Sequence, residues 1–170
     1  MMGRALLIVG AMATLGLIAS AVLGYGLDGP VGSEMSRHVL VALASSLLLL
    51  FSHCWIMFYL IGTGKAIKEA VNENGLEPSL IEDTKAFKNR SYPSLMLAMA
   101  LAMATFILGG GAATGVLPAW IHHALFWAAL VVQGRTLWIE KGVLEANERL
   151  MADIDRRLAP AAPRAGRVKA

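Results

Sequence analysis

The chain has only four histidines, at positions 38, 53, 122 and 123, and all of them lie in or beside its most apolar stretches. A neutral imidazole can bind haem iron through one ring nitrogen, exchange a proton, or hydrogen-bond to a quinone. Gln133 lies in the same apolar stretch as the last two histidines and adds an amide that can bind a carbonyl group. Which of these side chains meet depends on the helices that carry them.

The composition predicts that these residues lie in a membrane. Hydrophobic residues make up 56% of the chain and charged residues 16%, whereas soluble domains have about 25% charged residues. No Asp, Glu, Lys or Arg occurs in residues 5–27, 39–64 or 91–134. Because a membrane-spanning helix needs about 20 apolar residues, the first two stretches predict one span each and the third predicts two. This pattern excludes a soluble enzyme, and the single cysteine excludes a disulfide scaffold.

The predicted fold class is all-α, an integral membrane four-helix bundle. Its spans cover about residues 5–24, 37–62, 93–112 and 118–139. No strong helix breaker follows the second span before Gly75 or the fourth before Pro160, so helices 2 and 4 are predicted to extend into the cytoplasm. These extensions, residues 63–90 and 140–159, are expected to pair through apolar stripes, and residues 160–170 are predicted to be a disordered basic tail.

The distribution of basic residues predicts the orientation of the bundle. Lys and Arg are retained on the cytoplasmic side during insertion. They lie before the first span, between the second and third, and in or after the fourth, whereas only Arg37 lies in a loop on the other side. We therefore expect a multi-pass protein of the cytoplasmic (inner) membrane with both termini inside. The expected partners are the lipid bilayer and a larger membrane complex or a second copy, and no nucleic acid, because acidic residues are mixed with the basic ones.

Helical phase predicts which polar side chains face the interior of the bundle, because polar groups within a membrane are satisfied inside the protein and not in lipid. Around the second span, His38, His53 and most other polar side chains fall within an arc of about 140°. Around the fourth, His122 and Gln133 lie about 20° apart, whereas His123 is turned away by about 100°, toward an aromatic belt. At about 1.5 Å per residue, His38 and His122 form an outer layer, and His53 and Gln133 a layer roughly 22 Å deeper.

The same geometry gives expectations for two further sets of side chains. Glu140 is expected to approach the cytoplasmic surface, at a depth similar to that of Tyr59. The third span is expected to face the histidines with Met96, Met99 and Met103, and to carry small residues on its opposite face.

The facing imidazoles predict a redox site. His38 and His122 are the candidate axial ligands of a haem b, held in the core of the bundle. His53 and Gln133 are the candidate contacts of a quinone, because both can hydrogen-bond to its carbonyl oxygen. The sequence has no catalytic motif of its own. The predicted function is therefore that of a membrane-embedded electron-transfer subunit of a larger complex.

Other interpretations of the same residues stay open at this point. The outer histidines could simply hydrogen-bond at the headgroup boundary, and His53 could be a buried neutral imidazole bonded to a neighbouring Ser or Gln. The chain could be a cofactor-free accessory or structural subunit of a larger membrane complex. The polar residues could also form a proton or cation pathway, although no acidic group is expected at mid-depth.

Overall fold

Four long helices make up nearly all of the computed structural model, which describes residues 2–27 and 32–159. The helices are α1 (Met2–Tyr25), α2 (Ser33–Asn74), α3 (Ser79–Ala113) and α4 (Ala119–Leu158). They account for 92% of the described residues, among which there is no strand. The prediction of an all-α, four-helix chain is therefore confirmed, and the tail predicted over residues 160–170 lies outside the described residues.

Three of the helices, α1, α2 and α3, are long and apolar enough to cross a membrane, as judged by length and composition. The fourth, α4, has 40 residues, but its apolar half contains two adjacent histidines, Gln133 and Arg135, which lower its mean hydropathy. The fourth span therefore stays a prediction from the sequence.

Consecutive helices form two hairpins, α1–α2 and α3–α4, and packing is most extensive within each hairpin. Small residues let the helices of the first hairpin approach closely. A Cβ atom added at Gly16 would collide with the side chain of Ser45, and one added at Gly24 would lie 2.8 Å from the ring of His38. The four-residue spacing of Gly16, Ser20 and Gly24 therefore follows the line along which α2 packs on α1.

The interior of the bundle alternates between apolar and polar layers. The first apolar layer is formed by Ala13, Leu49 and Ala102. The second is formed by Leu6, Ile56, Leu60, Leu95, Val143 and Leu144. The third is formed by Ile67, Val71, Leu80 and Ile154. The order of residues along α2 and α4 puts His53, Gln133 and Glu140 between the first and second layers, and Thr63 and Asn147 between the second and third.

The third apolar layer joins three helices, where the sequence predicts a pair. Ile67 and Val71 of α2 and Ile154 of α4 meet Leu80, which lies near the start of α3. The sequence predicts that helices 2 and 4 extend past their spans and pair; in the structure α3, which begins at Ser79, runs beside both of them. A third helix covers apolar surface that a two-helix coil would leave in water.

The boundary that the sequence predicts at Pro93 is absent, because α3 continues through this residue. Proline removes one backbone hydrogen bond and costs a helix about 3 kcal/mol. Packing holds the helix on both sides of it: Ser91 and Leu95 are fully buried, and Tyr92 donates a hydrogen bond to the backbone oxygen of Met57 at 3.0 Å. These contacts outweigh the local preference for a break.

The face of α3 that meets the other helices is its small-residue face. Ala98 and Ala102 are buried, whereas about half of each of Met96 and Met103 is exposed. The expectation that the methionines face the histidines is therefore wrong for Met96 and Met103, whereas Met99 is half-buried and packs against the first apolar layer. Small side chains let α3 and α4 approach closely, which leaves Met96 and Met103 on the outside.

Candidate functional site

A cavity of 540 Å³ lies at the end of the bundle where α1 and α3 end and α2 and α4 begin. All four helices line it, and its wall contains three of the four histidines, His38, His122 and His123. Most of the remaining wall consists of Gly, Ala and larger apolar residues. Its size is in the range of pockets that hold small molecules and cofactors, about 300–1,000 Å³. This space is named the histidine cavity below.

The ring of His38, on α2, is held by α1. Its Nδ1 is 2.8 Å from the backbone oxygen of Ser20, and the ring lies over Gly24, where an added Cβ atom would come within 2.8 Å of Cε1. Because a backbone oxygen can only accept, Nδ1 carries the proton and donates it. The free lone pair of the neutral ring is then on Nε2.

The ring of His122, on α4, is held by α3 in the same way. Its Nδ1 is 3.1 Å from the backbone oxygen of Thr105, and an added Cβ atom at Gly109 would come within 2.9 Å of its Cε1. In each hairpin the accepting residue precedes the glycine by four positions, which puts both on the same side of their helix. The two hairpins therefore present their imidazoles with matching geometry.

Both imidazoles keep Nε2 available. No hydrogen bond between described residues uses Nε2 of His38 or His122, and both residues line the histidine cavity. An imidazole whose other nitrogen donates to a carbonyl is the usual form of a metal-bound histidine. The structure thus places the two histidines that the sequence pairs on the wall of one cavity, each with its proton on Nδ1.

His123 lies at the rim of the histidine cavity among aromatic side chains. Its ring is 4.9 Å from that of Tyr25, whose hydroxyl accepts a hydrogen bond from Trp127 at 3.1 Å. No hydrogen bond within the described part of the chain fixes this imidazole. His123 therefore occupies the aromatic surroundings that its helical phase predicts.

The fourth histidine lies in the polar layer between the first and second apolar layers. His53 Nε2 is 2.9 Å from the side-chain oxygen of Gln133, and Gln133 in turn donates to the hydroxyl of Thr14 at 3.2 Å. The side chains of His53 and Gln133 are buried. The structure therefore brings these two residues together, and it bonds them to each other.

Glu140 completes this inner cluster, although the sequence predicts it near the cytoplasmic surface. Its Oε1 is 2.7 Å from Nδ1 of His53, and both side chains are 0% exposed. The expectation of no acidic group at this depth is therefore wrong. Helical side chains lean toward the N-terminus of their helix, which raises the carboxylate toward His53. The seven-residue spacing from Gln133 was the available signal, since it puts both side chains on one face of α4.

The two histidine sites differ in what they can bind. No group of three or more His, Cys, Asp or Glu side chains in residues 2–27 and 32–159 is arranged to hold a metal ion. Haem iron needs fewer protein ligands, because the porphyrin supplies most of its ligands and two histidines complete the set.

Comparison with protein-family models, with curated proteins and with solved structures gives no match. The function of the chain is therefore inferred from the geometry of these sites.

Proposed function

We propose that the chain is an integral protein of the cytoplasmic membrane that crosses the bilayer four times, with both termini inside. Along α4, Trp120 and Trp138 are 68% and 76% exposed and about 27 Å apart along the helix axis. Tryptophan is enriched at the two interfaces of a membrane, whose hydrocarbon core is about 30 Å thick. This spacing supports a fourth span, and the exposed apolar side chain of Val131 between the two tryptophans agrees with contact to lipid.

The proposed function of this bundle is electron transfer, as the haem b-binding subunit of a membrane oxidoreductase complex. His38 and His122 are the proposed axial ligands. The observation that carries the proposal is the matched pair of imidazoles, each with Nδ1 held by a backbone carbonyl and each lining the same 540 Å³ cavity. Metal-bound histidines usually donate the proton of their second ring nitrogen to a backbone carbonyl or a carboxylate, and both rings have that arrangement here.

The wall of the histidine cavity suits a flat, largely apolar group. Gly24 and Gly109 leave room for the rings of His38 and His122 to lie flat against α1 and α3, and small residues such as Ala102 and Ala129 make much of the remaining wall apolar. A bound haem supplies a carrier for one electron at a time. The chain's own contribution is to fix both imidazole planes through their Nδ1–H bonds and to keep water away from the apolar wall.

A quinone at His53 and Gln133 is not part of this proposal. Nε2 of His53 is hydrogen-bonded to Gln133, and its Nδ1 lies 2.7 Å from Oε1 of Glu140, so other side chains already stand against both ring nitrogens. A quinone carbonyl would have to separate His53 from Gln133 in a layer that apolar side chains close on both sides. These contacts favour the interpretation of His53 as a bonded, buried imidazole.

Absorption spectra of the purified chain test the proposal. The chain in detergent, as isolated or after addition of haemin, should give the bands of six-coordinate haem when dithionite reduces it. His38→Ala and His122→Ala should each lose this spectrum, while the matched control His123→Ala should keep it. A chain that carries no haem and takes up no added haemin contradicts the proposal and favours the cofactor-free accessory subunit. Loss in His123→Ala alone would mean that the wrong histidine is assigned.

A further inference from the structure

The hydrogen bonds around Gln133 determine which end of its amide faces His53. Thr14 donates its one hydroxyl proton to the backbone oxygen of Gly10 at 2.8 Å, so it can only accept from Gln133. The amide nitrogen of Gln133 therefore points to Thr14, and its oxygen points to Nε2 of His53 at 2.9 Å. Because that oxygen only accepts, Nε2 must carry a proton.

A second proton is needed on the opposite side of the ring. Nδ1 of His53 and Oε1 of Glu140 are 2.7 Å apart, and two bare acceptors repel each other at that separation. Neither atom has another hydrogen-bond partner among the described residues, so a proton on one of the two is what makes so short a contact favourable. The nearby side chains of Ser52 and Gln133 are uncharged, and no described Lys or Arg pairs with Glu140.

From these two constraints we propose that His53 and Glu140 form a proton-binding site. The pair holds one proton between Nδ1 and Oε1, in addition to the proton on Nε2, and is neutral overall. The shared proton lies on the imidazole, which gives an ion pair, or on the carboxyl, which gives two neutral partners; the net charge is the same. The site is separate from the histidine cavity, and the inference does not depend on haem.

Residues of α1 cover this site. Gly10 of α1 lies against Glu140, and Thr14 of α1 holds Gln133. Without the shared proton, the fully buried pair would carry a net negative charge between two apolar layers, where no water solvates it. Burial beneath α1 therefore favours the pair with its shared proton over the pair without it.

Nitrogen NMR counts these protons directly. The chain labelled with [¹⁵N]histidine and prepared in lipid nanodiscs without haem has only four imidazoles to resolve, and His53→Gln assigns the signals of position 53. We expect Nε2 to be protonated. We also expect either a protonated Nδ1 or a protonated-carboxyl band in the infrared spectrum that Glu140→Gln removes. Glu145→Gln, at an exposed position on the same helix, is the matched control and should change neither signal.

Glu140→Gln separates a proton-binding site from a purely structural contact. Its amide can donate to Nδ1, so the variant should keep a midpoint of thermal unfolding close to that of the wild type while the shared proton is lost. A His53 whose Nε2 lacks a proton overturns the proposal, as does a bare Nδ1 in a chain without a Glu140 acid band. The wild-type spectra decide both points even if a variant does not fold. Because no haem is present, the outcome is independent of the spectral test of the histidine cavity.

Discussion

The glycine beneath His122 offers a sharp test of the histidine cavity, because Gly109 and its neighbour Gly110 both line the cavity but only Gly109 lies against the ring. A Cβ atom at Gly109 would lie 2.9 Å from Cε1 of His122 and 3.2 Å from its Nδ1, whereas a Cβ atom at Gly110 meets nothing within 4 Å. Both residues lie in α3, so alanine brings the same gain in helix stability at each, about 0.5–1 kcal/mol. The difference between the two variants isolates the contact with the ring.

The size of the effect follows from these distances. Carbon atoms in contact prefer a separation of about 3.5–4.0 Å, so alanine at position 109 must displace the His122 ring by roughly 0.6 Å or more. Without a cofactor the ring can move by weakening its hydrogen bond to Thr105, which costs about 1 kcal/mol and is offset by the gain in helix stability. A metal ligand must keep its distance within about 0.2 Å. We therefore expect haem to bind Gly109→Ala at least tenfold more weakly, a loss of about 1.4 kcal/mol.

Titration with haemin, together with thermal unfolding of the haem-free chain, measures both quantities. Gly110→Ala should bind haem like the wild type and unfold at a slightly higher temperature. Gly109→Ala should unfold close to the wild type, within about 1 kcal/mol, and lose affinity. Equal haem affinities of the two variants would refute the assignment of His122 as a ligand held in this position. A large loss of stability in haem-free Gly109→Ala would mean that the glycine serves packing alone.

Two further substitutions test the inner layers by denaturation in detergent. Glu140→Ala leaves a buried imidazole without its partner and should lower the free energy of unfolding by about 3–5 kcal/mol. The exposed control Glu145→Ala should change the free energy of unfolding by less than about 0.5 kcal/mol. Equal effects of the two substitutions would contradict the buried pair of His53 and Glu140. Ile67→Ala removes a buried side chain from the third apolar layer and should cost about 2–5 kcal/mol. A negligible cost would mean that the ends of α2, α3 and α4 do not form a common core.

Helical phase is the feature of the site that the sequence predicts best. A polar side chain in an apolar helix has only the interior to face, so the spacing along α2 and α4 is enough to bring His53 to Gln133 and His38 to the cavity that it shares with His122. Depth is predicted less well. Glu140 reaches His53 because the length of a side chain adds to the rise of the helix, and a count of residues at a fixed rise leaves that reach out.

The features that the sequence does not predict depend on packing between helices. Whether a helix breaks at Pro93 is decided by the contacts on either side of it, which outweigh the local cost. The backbone oxygens that hold the imidazoles have no side-chain signature. The only trace of them in the sequence is the repeated pairing of a small hydroxyl residue with a glycine four positions later, Ser20 with Gly24 and Thr105 with Gly109.

The alternation of polar and apolar layers affects whether this bundle is better suited to conduct ions or to exchange electrons. A proton or cation needs water or polar groups in close succession. Between the histidine cavity and His53 lies the first apolar layer, and between Glu140 and Asn147 lies the second. A pathway for ions would have to cross both, whereas an electron exchanged at one end of the bundle crosses neither. A core closed in this way, with a neutral pair at its centre, therefore favours a redox site at the histidine cavity over conduction of ions along the bundle.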